Sequence, residues 1–369
     1  MKPTTRSHTK MTSRQRYISS LRGGSVDRFF RYEHGLWPTT RERWIGEGLP
    51  PDADFGTCFG MDPLVRIGIN SGYTDSPYFP AFEEKTTEEN SEYRCYMDKD
   101  GVLKKVLKTR ADTSMPQFLK FPVCDRKDWT NVRRRLDPAD AAARIGDTAR
   151  LRSLCGDPGL PTLLPICGAF GHPRNLFGDE ALSYLIYDDP SLLEEVLEVW
   201  LHLYEELLRQ LTAHVRVDAL LIWEDMCYKN GPLISPEHFK AFMTPRYRKL
   251  MELARSRGIE AIIVDTDGDC LKLIPLFLEV GVDCLMPFEV QAGMDVVAIG
   301  KQYPELGIMG GIDKRALSEG KESIKREVDR VLPFFCTRGR FVPTLDHTVP
   351  PNVPLESFRW YLECVRQYE

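Results

Sequence analysis

The sequence predicts an α/β protein folded as a single (β/α)8 barrel of the TIM type, and three observations lead to this class. Short apolar runs alternate with longer segments of helical spacing from residue 163 onward. The runs are apolar throughout, as in parallel strands that are covered on both faces. The 369 residues exceed the usual length of one domain, yet a single barrel with insertions can contain them.

Six strand and helix units account for the second half of the chain. The predicted strands are 163–166, 219–223, 261–264, 284–287, 307–309 and 341–345. The predicted helices are 191–214, 236–257, 270–280, 294–302, 321–335 and 355–368. Asp189-Pro190 and Ser235-Pro236 each pair a capping side chain with a first-turn proline, which supports two of the helix starts.

The first half of the chain supplies the remaining elements. Two runs, 55–61 and 118–123, are predicted to be strands and bring the barrel to eight. Between them, residues 92–98 and 102–109 flank Asp100-Gly101, a pair that suits a tight turn, so a hairpin insertion is expected. Residues 1–25 are predicted to form a basic N-terminal extension with a first helix over 13–21, and residues 26–369 to form the barrel.

Composition argues against several function classes. With 42% hydrophobic residues, 28% charged residues and a net charge of −5, the chain is typical of a soluble globular protein, and nucleic acid is not an expected partner. No apolar run reaches the roughly 18 residues that a membrane helix needs, and residues 1–10 lack the apolar stretch of a signal peptide. The ten cysteines include no Cys-x-x-Cys pair, which favours buried thiols in a reducing, cytoplasmic compartment.

Acidic side chains recur directly after the predicted strands. In a parallel barrel these positions lie at the carboxyl ends of the strands, where barrel enzymes carry out catalysis. We therefore expect them to converge, with one imidazole, on a common mouth. The eight groups are Glu224, Asp225, Asp265, Asp267, Glu289, Asp313, Asp346 and His347.

Asp265 and Asp267 are two positions apart and point to the same side if the chain there is extended. Two neighbouring carboxylates must share a proton, meet a cationic side chain or bind a metal ion. Lys229 and Arg315 are candidate cations. The more specific hypothesis is that Asp265, Asp267 and His347 bind a divalent ion such as zinc. Alternatively, Asp267 or Asp269 caps the helix that is predicted to begin near residue 270.

Three further features are candidates for substrate binding or catalysis. His347 is a candidate general acid or base near neutral pH, although a lone histidine is more often structural. Gly310-Gly311 allows a close approach of backbone or ligand just before Asp313, unless the two glycines only form a tight turn and Asp313 only caps a helix. Arg31 is a candidate to grip a substrate carboxylate in a bidentate fork, unless it only packs at the surface.

Five short segments are shared with a known superfamily. They are Glu224-Asp225-Met226, the 233–237 segment Leu-Ile-Ser-Pro-Glu, Phe288-Glu289, the 309–313 segment Met-Gly-Gly-Ile-Asp, and Leu345-Asp346-His347. On these segments, the chain from about residue 26 to its end resembles the uroporphyrinogen decarboxylase superfamily, which also contains cobamide-dependent methyltransferases. The resemblance implies a distorted (β/α)8 barrel with its site at the strand carboxyl ends, and a homodimer. It also implies that His347 and Asp62 correspond to the family's site histidine and early aspartate.

Two departures from the family's patterns bear on function. Decarboxylases of the family carry Arg-Gln-Ala-Gly-Arg near the start to grip an acidic tetrapyrrole. Here Arg-Tyr-Glu-His-Gly over 31–35 retains Arg31 but loses the second arginine. Methyltransferases that activate thiols bind zinc through His-x-Cys, and here Asp265-Thr266-Asp267 stands in that place. An oxygen-rich set suits a harder cation, or a zinc acting on an ether or hydroxyl oxygen.

The resemblance and these departures lead us to expect a corrinoid-linked methyltransferase. It would move a methyl group from a small methoxylated or methylamine-like substrate to a cobamide held by a partner protein. Asp265, Asp267, Glu289 and His347 would hold or activate the substrate, directly or through a metal, and Glu224 and Asp225 would supply proton transfer or hydrogen bonds. Two alternatives remain open. One is a decarboxylase without cofactor acting on a small or tetrapyrrole-like acid, and the other is a non-catalytic ligand-binding barrel.

Overall fold

A computed structural model describes residues 10–110 and 115–369. The strands are β1 Val65–Arg66, β2 Lys85–Glu89, β3 Tyr93–Met97, β4 Leu103–Leu107, β5 Gln117–Lys120, β6 Thr162–Cys167, β7 Ala219–Trp223, β8 Cys227–Tyr228, β9 Gly231–Pro232, β10 Ala261–Asp265, β11 Cys284–Met286, β12 Gly307–Met309 and β13 Phe341–Val342. The helices are α1 Ser13–Arg22, α2 Pro38–Gly46, α3 Phe55–Phe59, α4 Arg126–Val132, α5 Ala141–Ile145, α6 Thr148–Leu154, α7 Gly171–Phe177, α8 Asp179–Asp188, α9 Pro190–Thr212, α10 Pro236–His238, α11 Thr244–Ser256, α12 Ile274–Glu279, α13 Val296–Gln302, α14 Lys321–Arg338 and α15 Leu355–Arg366. A π-helical turn, Phe239–Met243, joins α10 to α11.

A seven-stranded parallel sheet is the centre of the fold. Its order is β1-β6-β7-β10-β11-β12-β13, and every neighbouring pair is parallel. The six strands predicted in the second half of the chain all belong to it. Within residues 10–110 and 115–369, the edge strands β1 and β13 do not pair with each other. The α/β class is therefore confirmed as a curled, barrel-like sheet of seven strands, and the predicted eighth strand is not present in it.

Successive residues of each central strand pack into two separate cores, as the alternation of side chains along a strand requires. Leu221, Ile263 and Met309 belong to an inner core that also contains Tyr17 and Leu21 of α1. Neighbouring strand residues pack with the surrounding helices in a larger outer core. A sheet with helices outside and a separate apolar core inside has the layering of a barrel.

Helix α1 lies at the amino-terminal end of this sheet. The predicted first helix is confirmed, and its arginines pair with acids that precede the strands: Arg14 with Asp218 at 2.7 Å and Arg22 with Asp283 at 3.2 Å. Residues 1–9 of the predicted basic extension lie outside the described residues. The end of the sheet opposite α1 is therefore the end where a site can open.

Both strands predicted in the first half of the barrel are wrong. The 55–61 run forms helix α3, because Asp54 caps it by accepting a hydrogen bond from the Thr57 amide at 2.7 Å and Gly60 closes it at φ 66°. The 118–123 run overlaps β5, which pairs antiparallel with β4. β5 therefore extends the hairpin insertion and does not enter the barrel.

The hairpin insertion itself is confirmed. Strands β3 and β4 pair antiparallel in a four-stranded sheet of order β2-β3-β4-β5. Gly101 adopts φ 77° at the turn, and its amide donates to the Asp98 carbonyl at 3.0 Å. A Cβ at this left-handed position would be strained, which is why the Asp-Gly pair marks the turn.

The predicted helices are also confirmed, with ends that differ by a few residues. Asp189 caps α9 by accepting a hydrogen bond from the Leu192 amide at 3.2 Å, and Ser235 caps α10 by accepting from the His238 amide at 3.1 Å. In the described ranges, no helix is both long and apolar enough to cross a membrane. Helices such as α9 and α14 pack their apolar side chains into the outer core.

Candidate active site

A cavity of about 240 Å³ opens at the carboxyl ends of the parallel strands. Trp223, Asp265 and Met286, the last residues of β7, β10 and β11, contribute to its wall. The complete lining consists of Tyr32, His34, Arg66, Tyr73, Trp223, Asp225, Asp265, Asp267, Met286, Pro287, His347 and Thr348. Four of the eight groups that were expected to converge therefore do so: Asp225, Asp265, Asp267 and His347.

Asp265 presents a carboxyl group without a partner to this cavity. Its main-chain carbonyl accepts a hydrogen bond from the Glu224 amide at 2.9 Å, which fixes the strand end. Its side chain makes neither a hydrogen bond nor a salt bridge within the described chain. Burial, reinforced by the charges of Asp267 and Asp225, raises the pKa of Asp265 to about 8. Asp265 is therefore mostly protonated at neutral pH and can donate a proton.

Asp267 and His347 form a pair across the mouth. His347 Nε2 lies 3.6 Å from Asp267 Oδ2, and each side chain is about one-third exposed. The adjacent Asp267 carboxylate raises the pKa of His347 above its usual value. Of the two aspartates that were alternatives for capping the next helix, Asp269 and not Asp267 is the one that accepts from the Leu271 amide, at 3.0 Å. Asp265 and Asp267 thus have different surroundings, although they are two residues apart.

Arg174 compensates the charge of Asp225. Asp225 follows β7 with a left-handed φ of 43° and forms a salt bridge with Arg174 of α7. The same guanidinium pairs with Asp179 at 2.7 Å. The two cations suggested for Asp265 and Asp267 lie elsewhere: Arg315 pairs with Asp313, and Lys229 lies 5.8 Å from the ring centre of Tyr228.

Two basic residues that the sequence interpretation did not select also line the cavity. Arg66 of β1 donates a hydrogen bond to the Tyr32 hydroxyl at 3.0 Å. His34 Nε2 lies 2.9 Å from Thr344 Oγ1, and burial lowers the pKa of His34 to about 3, so its ring is neutral. The alternation of apolar Val65, Ile67 and Ile69 with Arg66 and Gly68 is the signal that could have identified β1.

Glu224 lies outside the cavity and holds a loop. Its buried carboxylate accepts hydrogen bonds from the amides of Ala169, Phe170 and Gly171 at 3.0, 2.7 and 2.8 Å. Burial raises the pKa of Glu224 to about 8, an effect that these amides oppose. A Cβ on Gly168 would lie 2.2 Å from the Glu224 carboxyl carbon, so the loop closes tightly over this residue. The predicted catalytic role of Glu224 becomes a positioning role for the loop after β6.

Asp346 and Glu289 hold the neighbouring loops. The buried Asp346 carboxylate accepts from the amides of Val290 and Lys314, both at 3.0 Å. Glu289 accepts from the Gly268 amide at 3.0 Å. Burial raises the pKa of Asp346. These bonds tie the segments that follow β10, β11, β12 and β13 together beneath His347.

Gly311 and Asp313 also serve local structure. A Cβ on Gly311 would lie 2.1 Å from Val296 Cγ1, so this glycine permits close packing against α13. Asp313 caps the turn that follows it by accepting from the Arg315 amide at 2.9 Å. Neither residue lines the cavity.

Arg31 and Asp62 are not brought to the cavity either. The Arg31 guanidinium forms a salt bridge with Glu369. Asp62 pairs with Arg28 at 2.6 Å and with Arg16 at 3.0 Å. These pairs link the N-terminal segment to the chain end and to α1, so the expected substrate roles of Arg31 and Asp62 have no geometric support.

The donors in the cavity do not form a metal-ligand set. No group of three or more His, Cys, Asp and Glu side chains in the described ranges is arranged to hold a metal ion. The hypothesis that Asp265, Asp267 and His347 bind zinc therefore gains no support from the structure, and we derive no chemistry through a metal.

Fold and site together define a barrel-type α/β protein with its candidate active site at the carboxyl ends of the strands. Residues 115–368 match the family described as Uroporphyrinogen decarboxylase (URO-D). The match covers more than half of the chain, and the protein belongs to this family.

The comparisons with individual proteins are more distant. Uroporphyrinogen decarboxylases of Prochlorococcus marinus, Methylococcus capsulatus and Thermus thermophilus are 24%, 26% and 24% identical to the chain. These matches cover 49%, 61% and 67% of this chain and 50%, 61% and 70% of the respective relatives. A methyltransferase from Methanosarcina mazei shares the fold with a TM-score of 0.62 at 14% identity, over 97% of this chain and 99% of that one. This last likeness shows the fold alone.

Proposed function

We propose that this protein is a methyltransferase that takes a methyl group from a small methylated substrate. The observation that carries the proposal is Asp265, a carboxyl group without a partner that faces a cavity of about 240 Å³. A methyl group leaves an oxygen or nitrogen atom more easily when that atom receives a proton as the bond breaks. Asp265 is placed to donate this proton, since burial raises its pKa to about 8.

The other residues of the cavity orient the substrate. Trp223 and Tyr73 offer aromatic faces to an apolar substrate body. The Asp267 and His347 pair at the mouth accepts or donates hydrogen bonds and moves a proton between the cavity and solvent. Glu224 and Asp346 hold the loops that carry these groups.

The size of the cavity favours a small substrate over a tetrapyrrole. Clefts that hold drug-sized ligands measure roughly 300–1,000 Å³, and this cavity measures about 240 Å³. A corrin ring is also larger than the cavity, so the lining residues cannot enclose a cobamide. A partner protein that holds the cobamide as methyl acceptor is part of this proposal, and no residue of the cavity is assigned to bind it.

The test is methylation of reduced cobalamin by the purified protein with a panel of small methoxylated and methylated compounds. The visible spectrum of the cobalamin reports the transfer. We expect Asp265→Asn to lower the rate about 10²- to 10⁴-fold, and the exposed Asp52→Asn to leave it unchanged. The absence of any spectral change with every compound would refute the proposal.

Arg66 favours a second candidate function, decarboxylation of a small acid without cofactor. Its guanidinium lines the cavity and offers a bidentate site for one carboxylate of a diacid, while a second carboxylate near Asp265 is the one lost. Asp265 would then protonate the carbanion that forms as carbon dioxide leaves. Release of carbon dioxide from a small acid by metal-free protein would establish this function instead.

A further inference from the structure

Arg66 is the charged group of the cavity wall that has no acidic partner. Asp225 pairs with Arg174 and Asp267 pairs with His347, so these acids are compensated. Within the described part of the chain, no carboxylate lies within salt-bridge distance of Arg66. The residue is nevertheless part of the cavity wall.

The backbone of β1 directs Arg66 toward the cavity. Val65, Ile67 and Ile69 are buried in the outer core, so the alternation of side chains places Arg66 on the inner face. Gly68 shares that face two residues later, and an added Cβ there would meet no atom within 4 Å. A ligand next to Arg66 therefore has space.

Two tyrosines fix the guanidinium. Arg66 Nη2 donates to the Tyr32 hydroxyl at 3.0 Å, and its Cζ lies 5.7 Å from the ring centre of Tyr73. Tyr32 is itself held edge-on against His34, with ring centres 5.8 Å apart. A guanidinium held in this way keeps further N–H donors for an anion, and less conformational freedom is lost when the anion binds.

We propose that Arg66 binds the carboxylate of the substrate, so that the protein acts on small acids carrying one negative charge. The inference rests on the proposed function and narrows its substrate class. The charges agree with it, because the remaining acids of the wall are paired or, in Asp265, carry a proton at neutral pH. A tetrapyrrole with many carboxylates would find only this one free guanidinium in the wall.

The bound carboxylate anchors the substrate and is not the reacting group. Loss of carbon dioxide removes negative charge from a carboxylate, and Arg66 would stabilise the ground state more than the transition state for that step. The reacting atom then lies elsewhere on the same small molecule, near Asp265. The anchor thus favours methyl transfer from a methylated acid over decarboxylation of the carboxylate that Arg66 holds.

Calorimetric titration of the full chain tests this anchor. The probes are benzoate and 4-methoxybenzoate, each compared with its neutral amide. We expect at least one acid to bind 10-fold or more tightly than its amide, and Arg66→Gln to reduce this ratio to about one. Arg66→Lys keeps the charge without the fork and should give an intermediate ratio. Arg248→Gln, which removes an exposed arginine paired with Glu279 on the outer surface, is the matched control.

Two results would overturn the anchor. The first is that neither acid binds more tightly than its amide, and a titration without measurable binding counts as this result. The second is that Arg66→Gln retains the preference for the acid over the amide. Thermal unfolding of each variant shows whether it is folded. If Arg66→Gln does not fold, the comparison of acid and amide is made with Arg66→Lys. Acid selectivity that depends on Arg66, without methyl transfer to cobalamin, would refute only the proposed function. Methyl transfer that is insensitive to Arg66→Gln would refute only the anchor.

Discussion

His347 Nε2 lies 3.6 Å from Asp267 Oδ2, so the segment after β13 contacts the segment after β10 across the mouth of the cavity. The two strands are not neighbours, because β11 and β12 lie between them. The contact therefore joins two strand ends across the cavity and raises the pKa of the imidazole.

Asp267→Asn is expected to lower the pKa of His347, since the carboxylate is the main cause of its raised value. NMR titration of the His347 ring measures the change, and Asp52→Asn is the control. A raised pKa in the folded state stabilises below the unfolded pKa of about 6.5, and this stabilisation is lost as the pH rises through the folded value. Because both groups are about one-third exposed, we expect Asp267→Asn to cost about 0.2–1 kcal/mol at pH 5.5 and nothing by about pH 9. An unchanged titration would contradict the pair.

Glu224→Ala is expected to destabilise the protein by about 2–5 kcal/mol, because three buried amides lose their acceptor. Urea unfolding measures the difference. Glu194→Ala on the exposed face of α9 is the control and should stay within about 0.5 kcal/mol of the parent. Equal stability of the two variants would show that Glu224 does not hold the loop after β6.

The regular part of the fold was predictable because burial on both faces leaves a clear pattern. Strands such as β7 and β10 are almost continuous apolar runs, and Asp189 and Ser235 are capping residues that indicate where two helices begin. The 55–61 run was wrongly predicted to be a strand because its apolar residues are compatible with a strand or a helix. The hydrogen bond by which Asp54 caps the segment favours the helix. β1 was missed because the described strand has two residues and one of them is charged.

The site was predictable only to the level of strand ends. That rule located Asp265, Asp267 and His347, but it applied equally to Glu224 and Asp346, whose side chains turn into loops. The direction in which a side chain turns depends on amides that lie far away in the sequence, such as those of residues 169–171. The sequence around each acid does not indicate those hydrogen bonds. Acids that line the cavity and acids that hold loops therefore cannot be distinguished by their position after a strand.

Gly310→Ala is expected to abolish folding or to cost more than about 4 kcal/mol. A Cβ there would lie 1.8 Å from the Pro287 carbonyl oxygen, at a left-handed φ of 119°. Gly281→Ala separates the clash from the backbone strain, because Gly281 also has a left-handed φ, of 93°, but no atom within 4 Å of an added Cβ. The control should cost only about 1–3 kcal/mol. Similar thermal stability of the two variants would contradict the close approach of β12 to Pro287.

The rate of the proposed methyl transfer is expected to fall as the pH rises above about 8, because Asp265 then loses the proton that the proposal assigns it to donate. Between pH 6 and 7.5 the rate should be nearly constant with respect to this group, since the acid form dominates there. The pH profile of kcat for methyl transfer measures the effect. Asp265→Asn cannot donate a proton as an acid, so its residual rate should lack the alkaline limb altogether. A limb that persists in Asp265→Asn would assign the proton to another group, and the Asp267 and His347 pair would then be the first to test.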